Sequence, residues 1–128
     1  MQFVVEVKSK RVLSVAVGKG RVHDLKLLKN SRTRCAREVK IGGDKGYQGI
    51  KKWHENSQTP HKKPRGGELS KEQKRENRLL ASERIVAEHV NRRFKVFRVL
   101  GERYRNRRKR FGLRVNLIAG IYNLDCVQ

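Results

Sequence analysis

Two carboxylates in contrasting settings carry most of the chemistry that this chain could do. Asp44 stands in Ile41-Gly42-Gly43-Asp44-Lys45-Gly46-Tyr47-Gln48-Gly49, where a short alternating strand runs into paired glycines. In sheets with helical crossovers, the carboxyl end of a strand is where ligands and metals gather. Glycines on both sides of the acid leave room for a phosphate or an ion to approach the backbone. The same residues also spell an ordinary Asp-Lys-Gly turn. Glu88 lies midway along a helical stretch, with Arg84, Arg92 and Lys95 on its own face and Asn91 beside them. One acid among three cations is either a solvated ion pair at four-residue spacing, worth about 0.3–0.5 kcal/mol, or a metal ligand beside a phosphate-binding face. Spacing alone leaves both readings open.

The element that must position Glu88 is a long helix expected over about 70–100. Ser70 and Gln73 spell a capping box, in which hydroxyl and amide each satisfy an orphan backbone donor. Gly101 offers the left-handed turn that closes a helix. Leu79, Val86, Val90, Phe94 and Phe97 share one face and predict the side that packs inward.

Composition sets the kind of partner. The 128 residues include 33 Lys or Arg against 12 Asp or Glu, a formal charge of +21. Self-repulsion of that size opposes compaction unless a polyanion neutralises it, which points to nucleic acid. Apolar residues make up 36% and aromatic residues 6%, so the core of this one domain is modest. A membrane surface is the weaker alternative, because the basic segments lack a wide apolar face, and no run of about 18 apolar residues exists to span one; no membrane partner is expected. Cys35 and Cys126 stand alone, without metal-ligand spacing, and read as small residues of a reducing compartment. The expected location is the cytoplasm.

From the amino end, Phe3, Val5 and Val7 alternate, Lys8-Ser9-Lys10 turns, and Val12–Val17 forms a second strand, giving a hairpin. Asp24 is expected to N-cap a short helix carrying Leu25, Leu27 and Leu28. Residues 30–37 read as a loop. Residues 50–54 read as a helical turn with Trp53 packed. Residues 56–67, Asn-Ser-Gln-Thr-Pro-His-Lys-Lys-Pro-Arg-Gly-Gly, hold both prolines and form an extended basic loop or edge strand. The densest charge is the run 103–110. Leu113, Leu117, Ile118, Ile121 and Leu124 then mark a final helix over about 111–124 that should pack back on the core.

The ordered blocks Gly-Lys-Gly-Arg-Val-His-Asp (18–24), Gly-Asp-Lys-Gly-Tyr-Gln-Gly-Ile (43–50), Lys-Lys-Pro-Arg-Gly-Gly (62–67), Arg-Ile-Val-Ala-Glu-His-Val-Asn-Arg-Arg-Phe-Lys (84–95) and Tyr-Arg-Asn-Arg-Arg-Lys-Arg-Phe-Gly-Leu-Arg-Val-Asn (104–116) are more specific together than apart. In this order they resemble the carboxyl-terminal part of a DDE transposase of a bacterial insertion sequence, in the branch related to Harbinger-type elements. The resemblance implies an α/β, ribonuclease H-like fold, truncated here to an opening hairpin and a short further strand against the long helix and the C-terminal helix. It implies DNA transposition through a carboxylate triad holding two divalent ions, magnesium or manganese. Asp44 matches the second acid and Glu88 the third, with Arg84 and Lys95 as the cations flanking it. Glu83 is the competing assignment for the third acid, and Ala81 stands where the family has a tyrosine. The DNA-binding set expected is Lys62, Lys63, Arg65, Arg84, Arg92, Lys95, Arg103, Arg105, Arg107, Arg108, Lys109 and Arg110, facing element ends and target DNA on the nucleoid.

The first acid belongs on a strand preceding the hairpin. Upstream of Asp44 only Glu6, Asp24 and Glu38 are acidic, and none stands in a matching motif. The expectation is therefore a fragment that is inactive alone, with three origins left open: a truncated relic, a second reading frame joined to a first by frameshifting, so that an upstream polypeptide or reading frame carries the first acid, or a fragmentary gene model. Self-association is left open. The alternative, on charge and size, is a small basic nucleic-acid-binding protein with no enzymatic activity.

Overall fold

The computed structural model describes residues 1–101 and 108–127. The chain is of the mixed α/β class, with the hairpin, the further short strand, the long helix and the C-terminal helix that the sequence predicts. It divides into two units, residues 1–22 with 86–128, and residues 23–85. Among the described residues no helix is long and apolar enough to cross a membrane.

In the first unit, strands β1 (Gln2–Val5) and β2 (Val12–Ala16) pair antiparallel, Phe3 opposite Val15, with an irregularity between Val4 and Val5. The turn passes through Lys10 at φ 60°, and Lys10 and Glu6 close it through a 2.9 Å backbone hydrogen bond. The core gathers Val12, Val90, Phe94, Ile118, Ala119 and Tyr122, with Phe3, Val5, Val15 and Leu100 packed against it. Phe94 is fully buried, its ring centre 4.4 Å from that of Phe3 and 5.2 Å from that of Tyr122.

Helix α4 (Phe111–Val127) buries Val115, Ile118, Ala119 and Tyr122. That corrects the sequence expectation, since Leu113, Leu117, Ile121 and Leu124 all lie exposed. The helix is apolar on both sides, so periodicity cannot choose the inward face. Hydrogen bonds choose it. Asn123 holds the Val12 backbone at both N and O, each at 2.8 Å, and the Tyr122 hydroxyl donates to the Lys10 carbonyl at 3.0 Å.

Burial pushes the Tyr122 phenol above its ordinary value near 10, and Cys126 adds to the shift, while the Arg93 guanidinium opposes it. The folded protein thus holds this proton more tightly than the unfolded chain. That contribution is complete below the unfolded value and is lost as pH rises through the folded one. Tyr122→Phe is expected to flatten the loss of stability that the parent shows above about pH 10, as read from urea midpoints at a series of alkaline pH values.

In the second unit, α1 (Asp24–Asn30) buries Leu28, and β3 (Ile41–Gly42) pairs parallel with β4 (Ser57–Gln58). The strand within 56–67 is therefore two residues long, and the rest of that segment is loop. Asp24 is the first helical residue and not the cap; His23 takes that position, and no side chain caps the helix. A carboxylate in the first turn still favours the positive end of the helix. Ile50 and Leu80 are buried, and a Cβ on Gly42 would lie 3.1 Å from Leu80 Cδ1.

Helix α2 (Lys71–Lys95) opens with the capping box as expected. Gln73 N donates to Ser70 Oγ, and Ser70 N to Gln73 Oε1, both at 3.1 Å. Its other end falls short of expectation. After Lys95 the backbone tightens, with Val96 N donating to Arg93 O and Phe97 N to Phe94 O, before a short helix, α3 (Arg98–Gly101), resumes. The break leaves Phe97 exposed while Leu100 joins the core. Leu79 is also exposed and its neighbour Leu80 is buried. A single inward stripe was the wrong template for a helix whose first residues serve one core and whose last serve another.

Candidate functional site

Asp44 is delivered by β3. Ile41 N donates to Asn56 O and Gly43 N to Gln58 O, both at 3.0 Å, so the parallel pair is fixed up to the residue before the acid. Gly43 is buried. A Cβ there would lie 2.9 Å from Tyr47 Cβ, so the glycine lets the tyrosine side chain close over the strand end. Asp44 itself has extended backbone and caps the 3-10 turn Lys45–Tyr47, accepting from Gly46 N at 2.8 Å. The carboxylate is half-buried, and the amide contact sets the direction in which its remaining lone pairs face.

A second acid borders the same turn. A Cβ on Gly46 would lie 2.5 Å from Asp24 Oδ2 and 3.1 Å from Asp44 Oδ1. The space a side chain would need is taken by two carboxylates. The sequence favours a cap role for Asp24 over a catalytic one and gives no sign of its approach to Asp44. The signal available for a further role was its place at the end of the block 18–24, which opens on a glycine-rich turn and closes on the His23-Asp24 pair.

Glu88 is exposed on α2, as are Arg92 and Lys95, while Arg84 and Asn91 are half-buried. The face read from the sequence as polar is thus the outer one. The competing acid, Glu83, is ion-paired with Lys40 at 3.6 Å. Asp44 belongs to the unit 23–85 and Glu88 to the other. Among the described residues no three His, Cys, Asp or Glu side chains cluster as a metal site.

The cations group in part. Lys62 lines an open cleft of about 550 Å³ together with Lys40, Lys51, Gln48, Gln58 and His61. Glu76, the acid in that wall, is bonded to His61 Nε2 at 2.5 Å, and Asn77 fixes His61 by accepting from its backbone N at 2.8 Å. Lys63 and Arg65 are exposed on the loop beyond. Lys40 and Lys51 escaped sequence reading because neither stands in a dense basic run, and their meeting in one cleft depends on the fold. Of the basic run, Arg103, Arg105 and Arg107 lie outside the described residues. Arg108–Arg110 form one 3-10 turn, on which Lys109 and Arg110 are exposed.

The family described as DDE superfamily endonuclease matches residues 1–123, a span that includes Asp44 and Glu88. The probable transposase for insertion sequence element IS702 of Microchaete diplosiphon is 53% identical over 124 residues, which is 97% of this chain and 45% of that protein. The chain therefore spans less than half the length of the curated relative it matches. No solved structure matches.

Proposed function

The chain belongs to the DDE superfamily endonucleases, and from that premise we propose that it supplies Asp44 and Glu88 as two of the three carboxylates of a DNA-cutting and strand-transfer centre. The observation that carries this reading is Asp44 itself, at the end of a parallel strand and oriented by the Gly46 amide. Its donor chemistry fits a small divalent cation, magnesium or manganese, which takes hard oxygen ligands and retains several waters.

Two such ions, when bound, activate the attacking oxygen and stabilise the leaving one in an in-line displacement at phosphorus. The chain's own residues do the rest. Asp44 and Glu88 would each offer a carboxylate to such ions. Arg84, Arg92 and Lys95 take the DNA backbone beside Glu88. Lys62, Lys63 and Arg65, with the run from Arg103 to Arg110, neutralise further phosphates of the element end and the target. The proposed centre takes its third carboxylate from an upstream polypeptide or reading frame, and cutting on this reading requires that part too. The setting is the bacterial cytoplasm, on the nucleoid.

The test has two steps. Labelled duplex DNA should bind the chain with a log affinity that falls by about 0.9 per phosphate neutralised for each tenfold rise in salt. With an upstream aspartate-bearing segment added, element-end DNA should then be nicked only when magnesium or manganese is present. Salt-sensitive binding without nicking under any divalent ion would leave a basic nucleic-acid-binding protein, the alternative that the +21 charge supports. Binding indifferent to salt would remove both readings.

A further inference from the structure

Helix α1 stops at Asn30, and the residues after it fold into a tied loop. Ser31 Oγ donates to the Leu28 carbonyl at 2.6 Å and lies 2.7 Å from Thr33 Oγ1, while Thr33 N donates back to Ser31 Oγ at 3.3 Å. Arg32 between them sits at φ 57°, a left-handed conformation uncommon for a residue with a side chain. The result is a cleft of about 460 Å³ lined by Lys29, Arg32, Thr33, Arg34 and Trp53. Three cations and an indole meet there, with no carboxylate among the lining residues. The three cations are exposed.

Trp53 comes from the far side of the sequence loop and is held at its backbone, where its N–H donates to the Ile50 carbonyl at 2.9 Å. Its neighbour His54 is buried, with Nε2 2.7 Å from the Val39 carbonyl. The indole is half-buried, so the sequence expectation that it is simply packed captures only part of its setting. Part of its surface faces a positively charged space.

A patch of cations alone attracts any polyanion. A flat aromatic surface among them discriminates, because an unpaired base can stack on the indole while its phosphates meet the cations. A blunt duplex offers the phosphates but keeps its base faces stacked inside. The cleft falls within the roughly 300–1,000 Å³ of small-ligand sites, which suits a nucleotide and is too small for a double helix. We propose that Trp53, Lys29, Arg32 and Arg34 form a binding site for an unpaired stretch of DNA, with one base stacked on Trp53. The choice of DNA over RNA rests on the function proposed above; the preference for an unpaired strand does not.

Trp53 is the single tryptophan of the chain, so indole fluorescence of the full chain reports on this cleft directly. Oligodeoxythymidylate of about ten nucleotides, within the usual site sizes, should quench it saturably. A blunt duplex of equal phosphate concentration should bind, as read by anisotropy of labelled DNA, and leave the indole signal unchanged. Arg32→Gln with Arg34→Gln, both at exposed positions, should weaken the oligothymidylate midpoint about tenfold, or about 1.4 kcal/mol. Trp53→Leu should lower the ratio of single-strand to duplex affinity by a similar factor. Equal quenching by duplex, or single-strand binding without quenching, overturns the proposal; so does an unchanged affinity ratio in Trp53→Leu. Asp44→Asn separates the two hypotheses, because it should leave the quenching intact. Quenching without metal-dependent nicking would sink only the proposed function, and nicking without quenching would sink only this site.

Discussion

Asp44→Asn is expected to reduce metal-dependent nicking of element-end DNA by about three powers of ten or more when the chain is assayed with an upstream aspartate-bearing segment. Metal-assisted charge stabilisation contributes several kcal/mol, and each 1.36 kcal/mol is about tenfold in rate. The substitution is chosen to be silent elsewhere. An asparagine oxygen can still accept from Gly46 N, as Asp44 Oδ1 does at 2.8 Å, so the turn Lys45–Tyr47 keeps its cap. Only the charge and one strong ligand are removed. Glu88→Gln should have a comparable effect, since Glu88 is exposed on α2 and the change costs the fold little. Duplex affinity should stay within about twofold in both variants, because phosphate binding is carried by the cations. Nicking rates near the parental value in both variants would remove the metal assignment altogether.

Phe94→Ala is expected to cost about 3–5 kcal/mol of stability, the range for deleting a buried aromatic ring. Phe94 is fully buried. Its ring touches a strand residue, Phe3, and a residue of the final helix, Tyr122, so the cavity would open where sheet and helices meet. Against a typical total of about 5–15 kcal/mol, that is a large share. Urea midpoints followed by circular dichroism would measure it. Leu117→Ala is the control, because Leu117 is 65% exposed and surface changes usually stay within about 0.5 kcal/mol. Equal midpoint shifts in the two variants would mean that the core lies elsewhere.

How legible these features were in the sequence follows from how local they are. The capping box of Ser70 and Gln73, the hairpin and the strand-to-glycine arrival at Asp44 each depend on a few adjacent residues, and the structure contains them all. The inward face of α4 depends on partners more than a hundred positions away, at Lys10 and Val12. The helix's own apolar residues could not reveal it. Strand β4 is two residues long, too short for alternation to register. Asp24 reads as a cap because its approach to Gly46 joins segments 22 residues apart. Glu88 is preferred to Glu83 on two counts, since it fits the family motif better and Glu83 lies nearer the apolar face of the helix.

Asn123 has a consequence for how the sheet can grow. Its amide donates to and accepts from one residue, Val12, and so makes the pair of contacts that an adjoining strand would make. A helix side chain thereby plugs the outer margin of β2 at that register. Unpaired margins are where sheets recruit foreign chains, and here one is sealed by a single carboxamide. Any strand joining this hairpin beside residue 12 must therefore dock along β1.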